Sequence, residues 1–158
     1  NASFDEVTSQ LIMKKYYHIG IAVDTENGLM VPVIRDVGQK SLLELALELT
    51  GIAQLARDRK ITREQMQGST FTISNLGGLG VGAFTPIVNA PDVAILGIGR
   101  GQLMPTYDQK KVLSPRLRMP VCMSYDHRVI DGADGARFTR AVIDQFESFS
   151  ESLIKKGI

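Results

Sequence analysis

Along the chain, β-type apolar runs alternate with helical repeats, and each change of period marks an element. The runs "YYHIGIAVDT" and "ENGLMVPVI" face each other across Asn27 and Gly28, a pair that tolerates positive φ, and so predict a hairpin. His18 falls inside the first run, among Tyr16, Tyr17 and Ile19, and reads as structural. At Ser41 the period becomes helical. Ser41 with Glu44 makes a capping box, and Leu42, Leu45, Leu49, Ile52 and Ala56 share one face, which predicts a helix over 41–59 with Glu44, Glu48, Arg57 and Asp58 on its polar side. Thr62 and Gln65 repeat the cap signature before "STFTISN", whose β-branched and aromatic content favours a strand. "AFTPIVNAPDVAILGIG" ends in another strand. "RLRMPVCMSYD" places Leu117, Met119, Val121, Met123 and Tyr125 on one face, as a single strand would. From Gly132 the helical period returns through Ala136, Thr139, Val142, Ile143, Phe146, Phe149 and Leu153, with Lys155, Lys156 and Gly157 closing the helix. The strands cluster and are not interleaved one-to-one with helices, so the pattern predicts an α+β mixed layer rather than a doubly wound sheet.

Composition narrows the function classes. With 158 residues, 44% of them hydrophobic and 22% charged, the chain suits one globular domain able to bury roughly 70% of its unfolded surface. A net charge of +1 without long basic blocks argues against nucleic acid and anionic membranes as partners. No apolar run approaches the ~18 residues of a membrane span. The single Cys122 reads as a small buried hydrophobe and, lacking a partner, suits a reducing compartment. His18 and His127 lie too far apart in sequence for a metal-ligand motif, so no metal is expected. The glycines of "LGGLGVG" follow a strand but do not open a helix. They lack the N–H array that a phosphate loop needs and read as tight backbone turns.

Chemistry concentrates in "SYDHRVIDGADGARF", residues 124–138, where a strand gives way to a helix. From spacing alone, His127 is either a structural anchor or a proton-transfer group. Imidazole titrates near neutral pH and can take a proton from a thiol or alcohol and return it within one cycle. Arg128 and Asp131 are placed to fix the loop, and Gly132 permits a sharp bend. The chain has no G-x-S-x-G elbow. The enzymatic reading that remains is a base acting on the substrate's own nucleophile, without a covalent enzyme intermediate. Ser74, judged by itself, reads as an ordinary strand serine.

The same stretch resembles the D-H-R-x-x-D-G signature of the dihydrolipoamide acyltransferases, the core components of 2-oxo acid dehydrogenase complexes. The resemblance continues through "YYHIGIAVDTENGLMVPVIRDV", "MQGSTFTISNLGG" and "FTPIVNAPDVAILGIGR" and covers nearly the whole chain. "FTISNLGG" and "FTPIVNAPDVAILG" are most similar to the acetyl, pyruvate-linked branch. The resemblance implies a chloramphenicol acetyltransferase-like α+β fold, a mixed sheet packed with helices, in trimers that build a larger hollow core with active sites between subunits. The implied reaction moves an acyl group between the dihydrolipoyl arm of a separate lipoyl domain and coenzyme A. By the resemblance, His127 is the general base on the thiol, Ser74 stabilises the oxyanion, and Asp131 holds the histidine loop. The implied partners are lipoyl domains, a 2-oxo acid decarboxylase and dihydrolipoamide dehydrogenase, in a bacterial cytoplasm or a mitochondrial matrix.

Two departures from the family pattern are expected to matter. By the resemblance, residues 1–158 are expected to be the C-terminal part of the acyltransferase catalytic domain, without its N-terminal segment and without the lipoyl and peripheral-subunit-binding domains. The ending "SLIKKGI" carries charges where the family often has an apolar anchor. The alternatives are a non-catalytic core scaffold, for which loss of the histidine would be the mark, and a succinyl or branched-chain acyltransferase of the same family. Related acyltransferases with H-H-x-x-x-D-G differ from this chain, which has Asp126 before His127.

Overall fold

The computed structural model describes residues 1–26, 28–108 and 110–150; Asn27 of the expected turn and Leu153, Lys155, Lys156 and Gly157 of the expected helix end lie outside them. The chain opens with an antiparallel hairpin, β1 (Ala2–Asp5) and β2 (Gln10–Met13), to which the sequence pattern assigned no element. Asp5 closes its turn by accepting from Val7 N–H at 2.9 Å and Thr8 Oγ1 at 2.7 Å. The expected hairpin follows as β3 (Ile19–Thr25), β4 (Gly28–Met30) and β5 (Val33–Ile34), with β3 pairing antiparallel to both of the others. Gly28 has φ of +104°, the left-handed backbone that glycine adopts without a steric penalty.

Helix α1 (Leu42–Arg57) begins at the Ser41 cap. Ser41 N–H donates to Glu44 at 2.7 Å and Glu44 N–H donates to Ser41 Oγ at 3.3 Å, so the capping box forms as its spacing predicts. Ile52 and Ala56 are buried, whereas Leu43 and Leu47 remain 62% and 66% exposed, a second apolar face of α1 that the described residues leave uncovered. Thr62 and Gln65 exchange the second set of cap bonds ahead of a short 3-10 turn. Strands β6 (Phe71–Asn75) and β7 (Ala94–Ile98) then run parallel to β3.

The expected single strand over "RLRMPVCMSYD" is two strands in different sheets. β8 (Gln102–Tyr107), unassigned in the sequence, pairs with β9 (Leu113–Arg118) in a separate ribbon, and β10 (Val121–Tyr125) joins the main sheet antiparallel to β7. The break falls at Met119 and Pro120, where proline has no N–H for a ladder. Leu117 consequently stays 73% exposed instead of sharing the buried face of Met123. Cys122 is half-buried, not fully buried as expected. Helix α2 (Gly132–Glu147) closes the described chain. Of its expected apolar stripe, Thr139, Val142 and Ile143 are half-buried, while Phe146 is exposed and Phe149 lies past the helix end.

The main sheet has the order β10-β7-β6-β3-β4, with β5 also paired to β3. It is mixed, with three parallel strands at its centre. Both helices cover one face: Phe71 stacks against Phe138 of α2 at 5.6 Å, Thr139 Oγ1 donates to Met123 Sδ at 3.5 Å, and α1 flanks Ile21 and Val23. Strand alternation puts Thr72, Ser74 and Gly97 on the opposite face, where Phe84 and Pro86 lie over Gly97. Ala94, Ile95 and Leu96 of β7 and Val33 and Ile34 of β5 are buried in the core, each large side chain contributing about 1.5–3 kcal/mol on burial.

Candidate functional site

The His127 loop is built by its two neighbours. β10 ends at Tyr125, and Asp126 N–H donates to the Val93 carbonyl at 2.8 Å, extending the β10 to β7 ladder by one rung. The Asp126 carbonyl then accepts from Val129 N–H at 3.1 Å and Ile130 N–H at 3.0 Å, turning the chain sharply around His127. The Asp126 carboxylate accepts from Arg128 N–H at 3.0 Å and from the Arg128 guanidinium through Nε, at 3.0 and 3.1 Å, and Nη2, at 2.6 Å. Forked pairing of this kind fixes orientation as well as distance. These bonds hold the Asp126 carboxyl below its ordinary range, hydrogen bonding from the Arg128 side chain being the largest cause.

Arg128 reaches further. Its Nη1 donates to Glu6 at 2.8 Å and its guanidinium lies 4.9 Å from the Phe4 ring centre, so the first hairpin braces the histidine loop. The His127 ring is exposed and tilted against Tyr125, with centroids 5.8 Å apart. Among the described residues no side chain hydrogen-bonds its imidazole. Asp131 is the N-cap of α2, with extended backbone and no side-chain capping bond. The bonds that hold the loop are those of Asp126, Arg128, Glu6 and Phe4, of which the sequence singled out Arg128 alone. Arg128 and Glu6 are 122 positions apart, a separation that local patterning does not bridge.

Ser74 stands far from this loop. The register sets Ser74 beside Gly97 and Tyr125 beside Ala94, and continuing it puts His127 level with Asp92 and Ser69. Ser74 and His127 are then five residues along and two strands across. At about 3.3 Å per residue and about 4.8 Å per strand their backbones are roughly 19 Å apart. The structure thus brings His127 and Asp131 to one loop and leaves Ser74 at the other end of the sheet.

Ser74 is half-buried at the C-terminal end of β6, where it borders an open cleft of about 470 Å³ whose walls include Val23, Leu49, Ala53 and Arg57; by strand alternation its side chain points to the sheet face opposite α1. That volume falls within the range of ~300–1,000 Å³ usual for small-molecule sites. The neighbouring glycines form the tight turns their spacing suggested. Gly77 to Leu79 make one 3-10 turn, Gly80 follows at φ +82°, and Gly99 passes so close to Gly82 that neither backbone leaves room for a side chain at Gly99. His18 is held structurally: its Nδ1 accepts Asp36 N–H at 3.0 Å and its backbone bonds to Thr70. Among the described residues no cluster of side chains suits a metal ion, and no helix is long and apolar enough to cross a membrane.

The family model for the 2-oxoacid dehydrogenases acyltransferase (catalytic domain) matches residues 1–154. The dihydrolipoyllysine-residue acetyltransferase component of the pyruvate dehydrogenase complex from Azotobacter vinelandii is 55% identical over 144 residues, covering 91% of this chain and 22% of the relative. The same component from Pseudomonas aeruginosa is 55% identical over 140 residues, covering 89% of this chain and 25% of the relative. Among solved structures, the Azotobacter vinelandii dihydrolipoamide acetyltransferase superimposes with a TM-score of 0.91 at 51% identity, covering 98% of this chain and 63% of that one. That structure was used to investigate the roles of a serine, a histidine and an asparagine in its catalytic mechanism, the last two four positions apart, as His127 and Asp131 are here. A chloramphenicol acetyltransferase matches with a TM-score of 0.54 at 16% identity, covering 90% of this chain and 67% of that one, a likeness of fold. The chain therefore spans about a quarter of the length of these two relatives and under two thirds of the solved Azotobacter vinelandii chain.

Proposed function

We propose, from the premise that this chain belongs to the 2-oxoacid dehydrogenases acyltransferase (catalytic domain) family, that it transfers an acetyl group between a dihydrolipoyl thiol and coenzyme A at a site completed by two copies of the chain. The observation that carries the two-copy reading is the separation of Ser74 from His127, roughly 19 Å by strand spacing. Neither side chain spans such a distance, and one thioester cannot meet both groups of the same chain. In a cyclic trimer the His127 loop of one copy faces the helix-free sheet face of the next, the face that carries Ser74.

The chemistry follows from the groups. A thiol with a pKa near ~8.5 is mostly protonated at neutral pH. His127 takes its proton, the thiolate attacks the thioester carbonyl, and negative charge collects on the carbonyl oxygen. The Ser74 hydroxyl donates to that oxygen, a contact worth about 2.7–4 kcal/mol in the transition state. Collapse of the tetrahedral intermediate breaks the original carbon–sulfur bond, and the departing thiolate recovers the proton from the His127 imidazolium. Asp131, at the N-cap of α2, sets where the loop joins the helix. Coenzyme A and the lipoyl arm are substrates here, and both thiols are supplied from outside the chain. The proposed assembly is a trimer within a larger core that receives lipoyl domains.

The test uses two inactive variants of the full-length protein. His127→Ala and Ser74→Ala subunits are denatured, mixed one to one and refolded, and subunit exchange is confirmed by mass. Roughly a quarter of the interfaces then pair an intact histidine with an intact serine, and acetyl transfer returns to about that fraction of wild type. Activity at the parental level despite proven exchange refutes the two-copy site. A His127→Ala protein with near-normal turnover refutes the general base.

A further inference from the structure

A buried carboxylate that the mechanism above leaves unused lies beneath the histidine loop. Asp92 is 4% exposed, and each of its oxygens accepts a hydroxyl hydrogen bond, from Thr72 Oγ1 in β6 at 2.6 Å and from Ser69 Oγ just before β6 at 3.0 Å. Ser69 and Thr72 are themselves buried, and the Lys14 ammonium, beside them, donates to the Ser69 carbonyl at 3.3 Å. Burial pushes the Asp92 carboxyl above its ordinary range against the opposing pull of the two hydroxyls and Lys14. A carboxylate in such a place is costly, and an apolar side chain of similar volume would fill the space more cheaply.

The residue after Asp92 is Val93, whose carbonyl accepts the Asp126 N–H that begins the His127 turn. A continuous path of bonds thus runs from Thr72 and Ser69 through Asp92 and Val93 to Asp126 and so to His127. Each joint along it is either a covalent backbone step or a hydrogen bond of 3.0 Å or less. By tying Ser69, two residues before β6, and Thr72, within it, to the second residue before β7, Asp92 sets where β7 begins, and β7 sets where β10 releases its last rung. Catalytic groups must be held within about 0.5 Å of productive geometry, and a 1 Å misplacement costs on the order of 10²-fold.

We infer that Asp92 is a positioning residue for His127, acting through the Val93 carbonyl and the Asp126 amide; this rests on the reading of His127 as the general base. Asp92 touches no substrate. Loss of its anchoring is therefore expected to lower kcat with little change in KM. Asp92→Asn, Thr72→Val and Thr72→Ser are made in the full-length assembled enzyme, with His127→Ala measured in parallel, and acetyl transfer from acetyl-CoA to dihydrolipoamide is followed together with amide hydrogen exchange at Asp126.

Asp92→Asn and Thr72→Val are expected to lower kcat by about 10- to 100-fold at unchanged KM and to speed exchange of the Asp126 amide. Thr72→Ser, which keeps the hydroxyl, is expected to restore kcat. An assembled Asp92→Asn enzyme with kcat within about two-fold of wild type overturns the inference, as does a loss confined to KM. If Asp92→Asn does not assemble, equal kcat for Thr72→Val and Thr72→Ser overturns it. Failure of the base reading is seen separately, as turnover retained by His127→Ala.

Discussion

Gly135 offers a sharp test of how α2 is seated on the strand that leads to His127. It is the buried glycine of the first turn of α2, and a Cβ added there would lie 2.6 Å from Cε1 and 3.0 Å from Cζ of the Tyr125 ring. Carbon atoms attract best at ~3.5–4.0 Å, so the ring or the helix must retreat by about 1 Å to admit one methyl group. Overpacking of this kind costs about 1–3 kcal/mol, while alanine in place of glycine returns up to about 1 kcal/mol of helix propensity. Gly132, one turn earlier, is the control: its added Cβ meets only the Tyr125 hydroxyl, at 3.7 Å, an ordinary contact. Both variants gain propensity, so the difference between them isolates the collision. Gly135→Ala is expected to be about 1–3 kcal/mol less stable than Gly132→Ala by denaturant unfolding, or several degrees in Tm at roughly 2–4 °C per kcal/mol. Tyr125→Leu removes the ring edge, so in a double-mutant cycle it is expected to recover part of the Gly135→Ala loss. Equal stability of the two alanine variants, or a cycle with no coupling, would refute the tight seating.

Two further outcomes are expected. Arg128→Lys keeps the charge but loses the fork that grips Asp126, so turnover is expected to fall at least ~10-fold with the fold intact, checked by steady-state acetyl transfer beside circular dichroism. For Asp92, burial raises the folded-state pKa above its unfolded value, so its contribution to stability is fully present below the unfolded pKa and is lost as pH rises through the folded one. Asp92→Asn does not titrate, so it is expected to gain stability relative to wild type as pH rises through and above the carboxylate range. Unfolding curves at acidic and neutral pH would contradict this if the gap stayed constant.

Some features were legible in the sequence because the chemistry that makes them is local. The Ser41 and Glu44 box and the Thr62 and Gln65 pair cap their turns whatever surrounds them, and the change of period at Gly132 opens α2 where expected. The D-H-R-x-x-D-G stretch identified the histidine loop because its residues are contiguous in the chain. Other features depend on partners that neighbouring residues cannot announce. The first hairpin shows no strong alternation, and it earns its place by bringing Phe4 and Glu6 to Arg128. The run before Tyr125 alternates correctly through Pro120 and is nevertheless divided between two sheets, since each half finds a different strand to pair with. The local pattern gives Asp92 no role, and it becomes the buried anchor ahead of β7 only when parallel pairing sets Ser69 and Thr72 beside it. The distance between Ser74 and His127 is likewise a property of strand order. Local preference selects helices, turns and strands, while the order and register of the strands, chosen by which apolar faces are buried together, decide which distant side chains meet.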